Sequence, residues 1–160
     1  MKNKRSCWKK ALKISIKQYG EEHPSTAITL TSLGNAYGSL GDGKKQKELL
    51  EKALKVKIKH YGEDHPETAI TLANLGNAYG VLRNYEKKKE LLEKALKINI
   101  NHYGGNHPQI AMILANLGQA YEALHQPDKA LQCYQKTYNI FVSHRHPLAA
   151  TIKTWMDQLY

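Results

Sequence analysis

The stretch HYGEDHPETAITLANLGNAYGVL, His60 to Leu82, decides the fold because the chain repeats it. It returns as QYGEEHPSTAITLTSLGNAYGSL at Gln18 to Leu40 and as HYGGNHPQIAMILANLGQAYEAL at His102 to Leu124, with His23, His65 and His107 spaced 42 residues apart. A fixed period of this length is the mark of stacked repeats. Each unit reads as two helices. The first begins at His-Pro, since proline at the first helical position gives up an amide that has no partner within the helix. Leu72, Leu75, Tyr79 and Leu82 then recur at helical spacing and share one face. The second starts near Asn84 and carries Tyr85, Leu92, Ala95, Leu96 and Ile98. Gly20, Gly62 and Gly104 close the second helices, where a left-handed stop is expected. No stretch carries a strand signal.

A lone helix pair cannot bury both of its apolar faces, so neighbouring pairs must stack into an all-α solenoid of about eight helices. The repeat frame divides the chain into the second helix of an incomplete unit (1–20), three units (21–62, 63–104 and 105–143) and a capping helix (144–160). Gly34, Gly76 and Gly118 fall mid-helix, where glycine costs about 1 kcal/mol relative to alanine, which predicts close helix packing there. Residues 10–20 align with 52–62, so Ala11, Leu12, Ile14 and Ile16 are expected to be partly uncovered unless preceding residues or another subunit covers them. His146-Pro147 is expected to open the final helix, with Leu148, Ile152, Trp155 and Leu159 on one face.

The frame also disposes of a tempting motif. GSLGDGKK, Gly38 to Lys45, approximates a phosphate-binding loop, but Lys45 stands where the magnesium-holding hydroxyl belongs and no strand precedes it. The next unit reads GVLRNYEK at the same place, so the stretch is a helix end and a turn.

The 160 residues are 41% apolar, and 24 Lys and Arg stand against 14 Asp and Glu, a net charge of +10. Acidic proteins, nucleic acid and anionic lipid are all electrostatically admissible partners. Cys7 and Cys133 form no metal-like or redox-like pair, which fits free thiols in a reducing, cytoplasmic setting. The basic N-terminus lacks the apolar run of a signal peptide, and its alignment with the repeat argues against a transit peptide. No segment reaches the length of a membrane span.

The pattern L-x-x-L-G-x-x-Y at Leu30/Leu33/Gly34/Tyr37, Leu72/Leu75/Gly76/Tyr79 and Leu114/Leu117/Gly118/Tyr121 resembles the tetratricopeptide repeat. The longer unit with its Y-G-x-x-H-P linker is similar to the kinesin light chain type of that family. The resemblance spans nearly the whole chain and implies a right-handed superhelix with first helices inside and second helices outside. It departs where the family places a small alanine against the first-helix glycine, for Gln46 and Lys88 stand there and only Ala130 conforms.

The resemblance further implies a peptide-binding groove in which asparagines hold the ligand backbone. Carried over by alignment, Asn35, Asn77 and Gln119 form one row and Ser32, Asn74 and Asn116 a second, with Thr31, Ala73, Ala115, Gly38 and Gly80 leaving room. Amides suit the task because they donate and accept at once. The alternative is that these side chains are merely solvated or bond from turn to turn. Lysines concentrate on the second helices, Lys44, Lys45, Lys47, Lys52, Lys55, Lys57 and Lys59, then Lys87, Lys88, Lys89, Lys94 and Lys97, a face expected to be solvated and offset by pairs such as Glu48–Lys52 and Glu93–Lys97. Arginine is scarce, which argues against nucleic acid. The histidine pairs His60/His65 and His102/His107 flank turns without the convergent ligands a metal needs, and no spacing suggests a nucleophile with its base. The expected function is therefore a non-enzymatic scaffold without cofactor or small-molecule substrate, binding a peptide that net charge only weakly biases toward the acidic. Two alternatives stay open: electrostatic binding of nucleic acid or anionic membrane by the lysines, and self-association through the incomplete first unit.

Overall fold

The computed structural model describes residues 2–159, with side chains from Ser6 onward. It contains helices α1 (Lys2–Tyr19), α2 (Pro24–Gly38), α3 (Gly43–Tyr61), α4 (Pro66–Val81), α5 (Tyr85–Tyr103), α6 (Pro108–Ala123), α7 (Pro127–Ser143) and α8 (Ala149–Asp157), and no strand among the described residues. None of the helices is long and apolar enough to cross a membrane.

The recurring Tyr-Gly-x-x-His-Pro is a structural joint. His23, His65 and His107 hold extended backbone (φ −86°, −86° and −96°) before the proline, and each Nδ1 accepts the amide two residues on, at 3.1, 3.1 and 3.2 Å. One of the orphan donors of the new helix is thereby satisfied. The same rings stack on Tyr19, Tyr61 and Tyr103 at 4.8, 4.8 and 4.4 Å, so the residue closing one helix props the residue opening the next. The intervening glycine differs from expectation. Gly62 (φ 89°, ψ 169°) and Gly104 (φ 77°, ψ 169°) combine positive φ with an extended ψ, a region essentially confined to glycine, because the chain must leave the helix straight rather than curl back.

The turn inside each unit is of a second kind. The amides of Asp42, Asn84 and Gln126 donate to the carbonyls of Tyr37, Tyr79 and Tyr121 at 3.0, 2.9 and 2.9 Å, a closure that puts the preceding residue in the left-handed region. Gly41 fills that place at φ 78°, whereas Arg83 (59°) and His125 (56°) adopt it with a side chain. Asp42 and Asn84 then cap α3 and α5 by accepting the amides of Lys45 and Lys87 at 3.0 and 3.1 Å. Gln126 makes no such bond, and its Oε1 is buried without a partner. The phosphate-loop lookalike is this first turn. At the far end His146 repeats the joint, stacking on Phe141 at 4.2 Å and accepting the amide of Leu148 at 3.2 Å, but α8 starts only at Ala149 rather than at His146-Pro147.

Each helix packs on its neighbours in the chain. In addition α2 touches α4 and α4 touches α6, while α3, α5 and α7 make no comparable contact with one another. The array therefore bends with the even-numbered helices inside. Mid-helix glycines allow the close approach: a Cβ on Gly76 would lie 3.2 Å from Leu92 and from the Lys88 carbonyl, and one on Gly118 only 2.4 Å from the Tyr134 ring. Each odd-numbered helix has two apolar edges. On α3, Leu49, Ala53 and Val56 face Ala27, Leu30 and Leu33, while Leu50 joins the layer of Leu72, Leu75 and Leu92. Fully buried side chains such as Leu50 and Leu92 each stabilise by about 2–3 kcal/mol. At the open end Ile14 is 63% exposed, as expected for a helix packed on one side alone.

Candidate functional site

The bend brings two concavities to the inner face. One, of about 320 Å³, lies between α4 and α6. Ile70, Ala73, Asn74 and Asn77 come to it from α4, Gln109, Met112, Ile113 and Asn116 from α6, and Asn99 from α5. Four of the aligned residues, Ala73, Asn74, Asn77 and Asn116, thus share one hollow. Thr31, Ser32, Asn35 and Ala115 do not line it; Thr31 and Ala115 are buried, and the Thr31 hydroxyl donates back to the Ala27 carbonyl at 2.9 Å. Gln119 lines the other concavity.

Asn99 was invisible to the alignment of first helices. It is 1% exposed, and its Oδ1 is buried without a hydrogen-bond partner. A buried amide oxygen left unpaired costs about 1–3 kcal/mol. Its register was legible all the same: Ser15, Lys57, Asn99 and Phe141 stand 42 residues apart and all are buried. Three of the four are satisfied locally. The Ser15 and Thr26 hydroxyls bond at 3.0 Å, and Phe141 stacks on His146. Lys57 donates to the Glu67 carboxylate at 2.8 Å and to its backbone carbonyl at 3.3 Å. The counterparts of Lys57 and Glu67 are Asn99 and Gln109, too short to meet, and the hollow opens beside them.

The second concavity, of about 530 Å³, is walled by Tyr85, Lys88, Gln119, Glu122, Tyr134 and Trp155, among others. Gly80 was expected to leave space for a ligand, and Lys88 to stand with its neighbours on the outer, solvated face. Neither holds. A Cβ on Gly80 would meet the Lys88 stem at 3.0 Å, so the side chain threads past the glycine and its Nζ arrives 3.5 Å from Gln119 Oε1. Burial drives its pKa below the ordinary lysine value. Gln46 fills the gap at Gly38 in the same manner, its amide 2.4 Å from where a Cβ would stand. In the third unit the volumes are exchanged, Glu122 standing at the glycine position and Ala130 at the lysine position.

The other charged groups lie outward. Lys45–Glu48, Lys87–Glu90 and Lys52–Glu48 pair at 2.7, 2.7 and 3.8 Å along their helices, and Lys59 reaches Glu22 across the joint. Glu93 does not pair with Lys97 as expected but accepts the Tyr121 hydroxyl at 2.7 Å, which, after burial, helps push that phenol up to about 12. Cys7 and Cys133 are free thiols, and burial raises Cys133 to about 11, which keeps it protonated and inert at neutral pH.

Two family models described as tetratricopeptide repeat match residues 26–67 and 82–141, together more than half of the chain. No curated protein sequence matches. Among solved structures, BtubC (BKLC) of P. vanneervenii is 25% identical with a TM-score of 0.77, over 88% of this chain and 56% of that one. A Podosopora anserina protein described as a kinesin light chain with nearly identical TPR-like repeats is 23% identical with a TM-score of 0.79, over 98% of this chain and 75% of that one. RapI shares 18% identity and a TM-score of 0.79, over 97% of this chain and 42% of its own. The chain thus spans little more than half the length of BtubC. The matched repeats, the helix order and the joint that recurs through the array together make this chain a member of the tetratricopeptide repeat family.

Proposed function

We propose that this protein-interaction scaffold holds a segment of a partner polypeptide along the inner face of α2, α4 and α6, with the α4–α6 hollow as its main contact. One observation carries the reading: Asn99 Oδ1, buried and unpartnered, lies in a wall that also presents Asn74, Asn77, Gln109 and Asn116. Side-chain amides pair with peptide groups whatever residue those groups belong to, and Ile70, Met112 and Ile113 add apolar contact. Helices α2, α4 and α6 contain no lysine or arginine. The positive charge is carried by the other helices and speeds encounter with an acidic partner without deciding what seats in the hollow.

The test begins by selecting a displayed library of random peptides on the full chain and titrating the best binder by calorimetry. Asn74→Ala, Asn77→Ala and Asn116→Ala are each expected to weaken it by about 1 kcal/mol, roughly fivefold. The double variant Asn99→Lys/Gln109→Glu copies the Lys57–Glu67 pair into the hollow, and is expected to weaken binding at least about tenfold with no loss of melting temperature. A peptide that binds these variants as tightly as wild type would overturn the assignment.

A further inference from the structure

On the outer face a seam runs between each second helix and the next, and the three seams are not closed alike. At the first, Lys59 of α3 reaches Glu22 of the joint after α1. At the second, Lys94 of α5 pairs at 3.4 Å with Glu63 of the joint after α3. The residues 42 positions further on are Lys136 and Gly105, so the third seam, between α5 and α7, keeps the lysine and lacks the acid. Gly105 does not hold a left-handed backbone, and a Cβ built on it would have no atom within 4 Å, so the place of a glutamate stem stands open. Lys136 is exposed and, among the described residues, makes no ion pair.

A second exchange works in the same direction. The Thr26 and Thr68 hydroxyls donate to the Gly20 and Gly62 carbonyls at 2.7 and 2.8 Å, whereas the residue in their register at the third seam is Ile110. That seam is accordingly apolar. It holds a concavity of about 360 Å³ walled by Leu96 and Ile100 of α5, Ile110 and Leu114 of α6 and Ile140 of α7, with Lys136 beside them. Ile100 is 43% exposed there.

We infer that this outer groove docks a segment of a partner polypeptide in which an apolar side chain lies next to a carboxylate. The apolar group rests on Ile100, Ile110 and Ile140, and the carboxylate takes beside Lys136 the place that Glu63 takes beside Lys94. A net charge of +10 sets a second copy of the chain at a disadvantage as occupant and favours an acidic partner. The site lies on the outer side of the array and does not rest on the reading of the inner face.

Three probes test it: acetyl-Glu-Leu-Leu-Glu-amide, its counterpart acetyl-Gln-Leu-Leu-Gln-amide, and acetyl-Glu-Ser-Ser-Glu-amide. Each is titrated into the full chain while the methyl resonances of Ile100, Ile110 and Ile140 are followed. The first is expected to shift these methyls and to bind about fivefold or more tighter than either of the others. Lys136→Met is expected to abolish the preference for glutamate over glutamine and to keep that for leucine over serine. Gly105→Glu supplies the missing carboxylate from within the chain and is expected to weaken the first probe about tenfold, its melting temperature verifying the fold. Absent methyl shifts, equal binding of the three probes, a glutamate preference that survives Lys136→Met, or undiminished binding in Gly105→Glu overturns the inference. Shifts on concentrating the protein alone, or with phosphatidylserine vesicles but not with peptide, assign the groove to a second copy or to a membrane and equally overturn it. Asn99→Lys/Gln109→Glu is expected to leave the shifts unchanged, and their loss in that variant would overturn the assignment to the outer face.

Discussion

Lys57 on α3 and Lys88 on α5 are both buried, and the array treats them in opposite ways. Lys57 crosses to the start of α4 and ends on a carboxylate, closing the junction between the first two units. Lys88 passes a glycine and ends beside an open concavity, its ammonium 3.5 Å from the Gln119 amide oxygen and, among the described residues, without an ion-pair partner. The difference teaches that a buried lysine in this fold is not by itself a stabilising element. The residue facing it in the next unit decides whether it serves as a bolt or as a hook with no counter-charge.

The largest expected effect comes from breaking the bolt. Glu67→Gln leaves the Lys57 ammonium in place, its side chain 4% exposed, without the anion that justifies its burial. Losing one partner of a fully buried pair costs about 3–5 kcal/mol; the Glu67 side chain is 42% exposed, and solvent screening lowers the expectation to about 2 kcal/mol by urea denaturation. Adding Lys57→Met to the same chain removes the stranded charge and is expected to restore most of the loss.

Filling the hook's place with an uncharged stem has the opposite sign. Lys88→Met is expected to stabilise by about 1 kcal/mol at neutral pH, since it removes a nearly unpartnered ammonium and keeps its packing. Burial lowers the Lys88 pKa below the ordinary 10.5, so the unfolded chain holds this proton more tightly than the native one. The wild-type penalty is therefore full below the folded pKa and fades as pH rises through it toward 10.5. Denaturation at neutral pH and near pH 10 should show the gap between wild type and variant narrowing. A gap that widens with pH would mean that Lys88 is stabilised as a cation.

The third unit sharpens the comparison from a different side. Asp42 and Asn84 cap their helices, whereas Gln126 does not and keeps its Oε1 buried without a partner. Gln126→Asn is expected to restore the bond and raise stability by up to about 1 kcal/mol, read as a rise in melting temperature of a few degrees.

The repeat, the helix pairs and the close packing at Gly34, Gly76 and Gly118 were legible because each is written locally and then written again. His-Pro starts a helix by its own geometry, and a leucine stripe needs only its own period. Lys57, Lys88 and Asn99 were not legible in this way. Within their own helices they look like ordinary polar residues, and their burial is set by residues on the neighbouring helices. A signal for Lys88 was nonetheless present. Glycine at 38 and 80 accompanies a large residue at 46 and 88, and glutamate at 122 accompanies alanine at 130, an exchange of volumes across one contact. The start of α8 at Ala149 and the extended ψ of Gly62 depended on the path of the chain between helices, which residue identity constrains only loosely.

The joint of tyrosine, glycine, histidine and proline has a consequence for how such a chain can grow. Because its stack and its cap involve only residues at the seam, the fitting is self-contained, like a threaded coupling that accepts any pipe of the same bore. Splicing in another copy of residues 63–104 would lengthen the trough by one pitch and add a further pair of asparagines, leaving the fittings at both ends untouched. On the proposed reading, the reach of the scaffold along a partner is adjustable in whole steps, independently of what each step grips.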